Sequence, residues 1–402
     1  MNIQLQNPAF FPHLGGAQWI VAQMAKELLR RGHQVSVLCQ SDDGLPERDQ
    51  WRDIQVVRHS YREPAGRAWV VEPWMDLQAL TKRLPRYGAA GQALWPIHET
   101  YALASARVFP KSPLLYIVQH NTSRMTGLNW QVSRFSSRVG KRLVQHQRAW
   151  IQREALQAAS AVVTWCEMTK FDMVRCFGVD PNKVHVVLPG PGIDPERITQ
   201  PQAGDRSLRH CLGLPDEARI VLCCCRLVPN KNVAMLLRAM PHVHDPHAYL
   251  VIVGGGPQQP ALEQLARELG VASRVRFAGS HANVSPFYAA ADLFVFPSIF
   301  EGFGIVLLEA MLMELACIGL QPDYPRVVTA TEEVIVDGQT GFCVSPYSVK
   351  EMADRIDTVL SDEPLRRRMG EAGRRRCLER FRWDRHIDRL LEITRGMREG
   401  LQ

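Results

Sequence analysis

The residues Leu293-Phe-Val-Phe296 form a short, wholly apolar run of β-formers that Pro297 closes. Neither alternating face is polar, so the run reads as a strand buried on both sides, as in a parallel sheet covered by helices. A helix must follow. Gly302 and Gly304 suit a tight turn that lets backbone approach a ligand, and Ile305 to Met313 is apolar nearly all round except at Glu309. The order strand, glycine turn, buried helix points to an α/β fold with its ligands at the carboxyl ends of the strands.

The two acids in this stretch, Glu301 and Glu309, are chemically suggestive. A carboxylate inside an apolar helix is costly unless something hydrogen-bonds it, and a ribose diol or sugar hydroxyls would supply the donors. The helix start adds unpaired N–H groups and a positive dipole end, which favour a phosphate between the two acids. On these residues alone a second reading stands equally: Glu301 as a solvated loop residue and Glu309 as the partner of a structural Lys or Arg.

The extended setting is Pro297-Ser-x-x-Glu301-Gly-Phe-Gly-x-x-x-x-Glu309-Ala-Met311. It resembles the donor-site signature of glycosyltransferase family 4, whose members are retaining enzymes of the GT-B fold. The resemblance implies two Rossmann-like doubly wound domains facing each other across a cleft. It further implies that Glu309 holds the donor ribose, and that Glu301, with Gly302, Phe303 and Gly304, holds the donor sugar.

The amino-terminal part reads as a βαβ unit: a strand at Ile3 to Gln6, a helix from Ala17 to Arg31 and a strand from Gln34 to Cys39. Gly15-Gly16 lies in its first loop. Lacking G-x-G-x-x-G, the loop is no dinucleotide fingerprint, and a plain helix-capping turn explains it; the resemblance implies instead a place near the donor phosphates and the acceptor. Residues 61 to 110 carry Trp69, Trp74 and Trp95 but no motif. The apolar strand Leu114 to Gln119 delivers His120-Asn121-Thr122 at its carboxyl end. A single His here reads as structural, whereas the resemblance makes His120 a contact to the donor sugar or acceptor. Arg134 to Arg153 reads as a long basic helix. It would either pack its apolar face on the sheet or rest on an anionic membrane surface.

Pro189-Gly-Pro-Gly-Ile-Asp-Pro195 is dense in turn formers, and its Gly192-Ile-Asp194 matches the family's hinge. The expected division is an acceptor-side domain over 1–190, a linker over 191–205, a donor domain over 206–380, and a terminal helix over 381–402 packing back on the first domain. Arg219 to Cys225 reads as a buried strand whose end presents Arg226-Leu-Val-Pro-Asn-Lys231. Two cations at a strand end can neutralise a diphosphate, Arg as a planar fork and Lys as a point charge. The spacing matches the family's Arg-x4-Lys. No D-x-D occurs, so Arg226 and Lys231 take the electrostatic role of a metal at the leaving group. Gly254-Gly-Gly-Pro257 repeats the strand-then-glycine order, and Gly254 is either a nucleotide contact or a plain turn.

Beyond the central helix the match departs from the family: Glu314 and Ala316 stand in place of Gly-x-Pro-Val, and Gln321 to Thr331 in place of a glycine-rich loop. The arginines of 366–368 and 374–376 read as a solvated helix face, because no interleaved aromatic platform accompanies them for nucleic acid. A net charge of +7 in 402 residues adds no stronger indication of a partner. Ten cysteines without zinc spacing read as reduced core residues. No apolar run reaches about 18 residues and no signal sequence is visible, which predicts a cytoplasmic chain, peripheral on a membrane if the basic helix binds lipid.

The sequence thus predicts a retaining, metal-independent glycosyltransferase with a UDP-sugar or GDP-sugar donor and a glycan or lipid-linked acceptor, needing no further cofactor and binding no nucleic acid. A nucleotide-sugar epimerase and a non-catalytic, membrane-associated partner of a transferase complex are the competing readings.

Overall fold

The computed structural model describes residues 1–12, 16–41, 44–60, 71–88, 91–121, 138–192 and 206–400. It separates into two compact units: Met1–Pro189 with Trp383–Gln402, and Gly190–Arg382. Among the described residues no helix is long and apolar enough to cross a membrane.

The first unit begins with β1 (Asn2–Gln6), α1 (Gly16–Arg30) and β2 (Gln34–Ser41). An edge hairpin follows, β3 (Arg48–Trp51) and β4 (Ile54–Ser60), the one antiparallel pair in a sheet ordered β3-β4-β2-β1-β5. Then come α2 (Glu72–Arg83), β5 (Ala93–Pro96), α3 (Glu99–Val108), β6 (Leu115–Val118), α4 (Arg138–Ala158), β7 (Ala161–Thr164), α5 (Glu167–Phe177) and β8 (Val184–Val186). Strands β6, β7 and β8 run parallel, and a parallel bridge from Leu94 to Leu114 joins them to β5. Strand order therefore reverses between β1 and β5, whose carboxyl ends open the crevice of a doubly wound sheet.

Helix α4 departs from the expected single apolar face. Val144, Ile151, Ala155 and Leu156 are buried, and Trp150 stacks on Trp74 with centroids 4.5 Å apart. Val139 and Leu143, however, are 77% and 45% exposed. The expected helix start, including Arg134 and Phe135, lies outside the described residues.

The second unit is a six-stranded, wholly parallel sheet ordered β11-β10-β9-β12-β13-β14. Its strands are β9 (Arg219–Cys224), β10 (Ala248–Val253), β11 (Val275–Gly279), β12 (Leu293–Phe296), β13 (Ala316–Leu320) and β14 (Gly341–Val344). Around them lie α6 (Arg206–Cys211), α7 (Val233–Ala239), α8 (Gln259–Glu268), α9 (Ser285–Ala290), α10 (Ile305–Leu312), α11 (Thr331–Val334), α12 (Val349–Ser361) and α13 (Glu363–Arg380). The central strands are apolar because both faces are covered: every residue of β12 and β13 is buried.

The basic run of α13 is only in part the expected solvated face. Arg367, Arg368 and Arg375 are exposed. Arg374 instead donates to the Leu312 carbonyl at 2.8 Å, Arg376 to the Val334 and Glu333 carbonyls at 2.9 and 2.8 Å, and Arg366 to Leu360 at 3.1 Å. These cations satisfy the orphan carbonyls ending α10, α11 and α12, with the sign the helix dipole favours. Glu314, where the sequence departs from the family, takes φ +58°, a left-handed conformation more readily occupied by glycine. Its carbonyl oxygen lies where a Cβ on Gly370 of α13 would sit. Gly370→Ala, which in an exposed helix would stabilise by about 1 kcal/mol, is therefore expected to destabilise by about 1–3 kcal/mol through overpacking. The denaturation midpoint reads the sign.

The cysteines are not all core residues. All ten are unbridged thiols, but Cys176 and Cys211 are exposed and Cys224 and Cys225 only partly buried. The terminal helix α14 (Trp383–Glu399) belongs to the first unit, where Thr394 accepts from Trp95 at 3.1 Å and Asp388 pairs with Arg31 at 3.0 Å.

Candidate active site

In the second unit strand order reverses between β9 and β12, the place where open α/β sheets bind ligands. The segments leaving these two strands are stitched together. Asn230, buried after β9, donates to the Phe300 carbonyl at 3.1 Å, and its own carbonyl accepts from the Ile299 amide at 2.9 Å and the Ser298 hydroxyl at 3.1 Å. Lys231 and Glu301 are thereby brought face to face, with Lys231 Nζ ion-paired to Glu301 Oε2. Their side chains are 13% and 23% exposed, so the pair is shielded but reachable. Lys231 Nζ also lies 5.1 Å from the Phe296 ring centroid, a cation–π placement. Arg226, at the end of β9, is exposed.

The loop at which the family match weakens contributes here. The Glu301 amide donates to the Val328 carbonyl at 2.9 Å and the Val328 amide to the Ile299 carbonyl at 2.9 Å, so this loop fixes the backbone that carries Glu301. The following turn enters α10 through Gly304, whose φ of +85° is left-handed, while Phe303 is buried edge-on against Phe381 with centroids 5.7 Å apart. Gly302 is buried beside it.

Glu309, one turn into α10, accepts a hydrogen bond from the Tyr288 hydroxyl at 2.9 Å. Burial pushes its carboxyl up to about 7, and the Tyr288 bond only partly offsets that rise. An acid so placed is held close to the point of ionisation, and hydrogen-bond donors brought to it would favour its charged form. Gly254 has a reason within the chain for being glycine: its φ is +126°, and a Cβ would collide with the Cys225 carbonyl oxygen. With the Leu227 amide bonded to the Gly255 carbonyl at 2.9 Å, the glycine loop lies against the segment that carries Arg226.

In the first unit His120 follows β6, and its carbonyl accepts from buried Gln152 of α4 at 3.0 Å. Near it lies Glu99, fully buried at the start of α3. Burial alone would raise this carboxyl, yet His98, Arg148 and His120 together hold it below the usual carboxylate range. Gly16 opens α1, and a Cβ there would meet nothing within 4 Å, so packing does not require a glycine. Gly15 and Thr122 lie outside the described residues, as do Ile193 and Asp194.

Sequence reasoning missed Asn230, Ser298, Tyr288, Val328 and Glu99. Asn230 and Ser298 stood inside the Arg226–Lys231 and Pro297–Glu301 motifs. Their polarity in stretches about to be buried was the available signal. Tyr288 sits in an unremarkable apolar context and Glu99 between His98 and Thr100, and neither gave one.

Two doubly wound units, the second with a cation–acid pair at its reversal point and a partly buried acid one helix turn on, fit the GT-B architecture that the sequence resemblance implies. Comparison with known proteins agrees. A family described as Glycosyltransferase Family 4 matches residues 14–197, and one described as Glycosyl transferases group 1 matches residues 205–376. A GDP-mannose-dependent alpha-(1-6)-phosphatidylinositol monomannoside mannosyltransferase of Mycolicibacterium smegmatis is 30% identical over 405 residues, covering 98% of each chain. Among solved structures, sucrose-phosphate synthase of Thermosynechococcus elongatus superposes with a TM-score of 0.79 at 20% identity over 99% of both chains. HepE of Anabaena, in complex with UDP and glucose, gives 0.73 at 20% identity over 98% of this chain and 100% of its own. The chain belongs to glycosyltransferase family 4 and is a glycosyltransferase of the GT-B fold.

Proposed function

We propose that the chain is a retaining, metal-independent hexosyltransferase that moves a sugar from a GDP- or UDP-sugar to a hydroxyl of a glycan or lipid-linked acceptor. The observation that carries this is the Lys231–Glu301 pair at the strand-order reversal of the second unit. In the proposed reaction the bond from the anomeric carbon to the diphosphate oxygen breaks, and the acceptor hydroxyl bonds to that carbon on the same face. Its proton passes to the departing diphosphate. Arg226 and Lys231 stabilise the charge that develops there. Glu301, released from Lys231 as phosphate takes its place, accepts from the sugar hydroxyls, with Gly302, Phe303 and Gly304 shaping the turn beneath. Glu309 accepts from the ribose. Gly254 supports the segment carrying Arg226 and is assigned to the nucleotide, His120 to the donor sugar or acceptor, and the Gly15-Gly16 loop to the donor phosphates and acceptor. With one carboxylate at the sugar and the departing diphosphate taking the acceptor's proton, the proposed route is front-face transfer and not the paired-carboxylate route of retaining glycosidases.

The mannosyltransferase relative supports a GDP-sugar, and the UDP bound to HepE shows that the fold also serves uridine nucleotides. Thermal unfolding with GDP, UDP and ADP tests the donor. A ligand at a hundred times its Kd should stabilise by about 2.7 kcal/mol, and no stabilisation by any of the three would contradict the reading.

A location on the inner face of a membrane is supported by α4, where exposed Val139 and Leu143 neighbour Lys141 and Arg142. The protein is expected to co-sediment with vesicles containing about 30% anionic lipid at low salt, and Val139→Glu with Leu143→Glu to lose most of that binding. Equal sedimentation of the variant would remove the membrane from the account.

A further inference from the structure

Glu309 is held from two sides within the second unit. On one side Tyr288 of α9, its ring 0% exposed and packed on Phe294 at 5.5 Å between centroids, donates to Oε2 at 2.9 Å. On the other, the backbone of Gly192 lies so close to Oε1 that a Cβ there would collide with it, while the same Cβ would stand 3.3 Å from Ile305 Cγ2. Cys224 of β9 lies close to both the phenol and Glu309. Among the described residues, Tyr288 and Cys224 are the titratable groups set against Glu309, and neither is charged at neutral pH. Burial drives the phenol well above its ordinary value and the thiol up to about 12.

A glutamate side chain is free to turn, and a ligand that must first order it binds more weakly. A carboxylate offers about four lone-pair sites. Tyr288 occupies one, which leaves enough for both hydroxyls of a vicinal diol. Gly192 limits rotation of the carboxylate on the opposite side.

We propose that Tyr288 is a positioning residue for the nucleotide ribose: its hydroxyl, with Gly192 closing the opposite side, fixes the Glu309 carboxylate in the orientation that accepts from both ribose hydroxyls. This rests on the reading of Glu309 as the ribose acceptor, and it makes the clamp the source of discrimination between ribo- and 2′-deoxyribonucleotides.

Calorimetric titration of GDP, UDP and their 2′-deoxy forms into wild type, Tyr288→Phe, Gly192→Ala and Glu309→Gln, between about pH 5.5 and 8.5, tests it. Tyr288→Phe keeps the ring's packing and removes one donor to a charged acceptor. It is expected to weaken ribonucleotide binding about tenfold or more and to shrink the ribo/deoxy ratio. The pH at which binding becomes half-maximal should also rise, since the ionised carboxylate has lost a donor. Gly192→Ala, whose Cβ would press on the Glu309 carboxylate and displace it from this orientation, is expected to weaken binding and shrink the ratio likewise. Tyr288→Phe with unchanged affinity, or a uniform loss at every pH with the ribo/deoxy ratio intact, overturns the proposal. If Glu309→Gln loses the ratio while both clamp variants keep it, the clamp alone fails. If Glu309→Gln binds the ribonucleotide as tightly as wild type, the ribose reading fails and the clamp with it.

Discussion

Glu309→Gln is expected to make the unliganded protein more stable at pH 7 and at the same time to abolish most of its stabilisation by nucleotide. The first effect follows from the carboxyl standing at about 7 in the folded protein instead of 4.5. Below about pH 4.5 the acid is protonated folded or unfolded, and it contributes nothing. Between 4.5 and 7 the unfolded chain ionises while the folded chain holds its proton, so stability falls as pH rises, and the full penalty is present above pH 7. The penalty is roughly 3 kcal/mol, because every tenfold change in proton affinity corresponds to about 1.4 kcal/mol. Glutamine keeps an acceptor for Tyr288 and removes the titration, so the variant should gain stability at pH 7 and not at pH 4. The second effect follows because an amide oxygen is a weaker acceptor for two ribose hydroxyls than a carboxylate. Thermal unfolding of both proteins at pH 4, 5.5 and 7, with and without GDP or UDP, reads both effects. A variant less stable than wild type at pH 7 would contradict the cost assigned to burying the acid. One that keeps the full nucleotide shift would contradict the ribose assignment. Such opposed changes in stability and function are expected where a protein holds a costly group for its ligand.

Lys231→Ala should cost far more activity than stability. The shielded pair loses its cation, which leaves Glu301 partly solvated at 23% exposure, and a destabilisation of about 1 kcal/mol is expected. Transfer, by contrast, loses a fixed charge at the departing diphosphate, and the rate should fall about 10²–10³-fold. Lys231→Arg is not expected to restore it, because the guanidinium is planar where the ammonium is compact, and the space between Phe296 and Glu301 is set for the latter. Initial rates of nucleotide release with saturating donor, set beside the unfolding midpoint, separate the two effects. A rate loss no larger than the stability loss implies would remove Lys231 from the chemistry.

Much of the second unit was legible because its signals are local. Leu293 to Phe296 is apolar throughout since β12 is covered on both faces, and the Gly302–Gly304 turn and the start of α10 follow from glycine and helix periodicity within one stretch. The edge strand β3 was not legible: Arg-Asp-Gln-Trp at an edge needs no apolar alternation. Helices α2 and α3 lay among the tryptophans and prolines that yielded no motif. At the site, residues inside a motif could be nominated, whereas partners brought in by the fold could not. Tyr288 is 21 residues from Glu309 in sequence, and the arginines of α13 reach carbonyls some 40 to 60 positions away. The full-length likeness to a mannosyltransferase supports transfer and lends nothing to the epimerase or non-catalytic readings.

The most direct test of the central claim is proton NMR of the product formed by the wild-type protein. GDP-mannose and UDP-glucose, both α-linked donors, would each be incubated with lipid-linked and oligosaccharide acceptors and the new anomeric signal assigned. The account predicts release of the nucleoside diphosphate together with an α-linked product, the configuration of the donor retained. A β-linked product would contradict front-face transfer. A donor left intact with every acceptor would contradict the assignment of the Arg226, Lys231, Glu301 and Glu309 constellation as a working donor site.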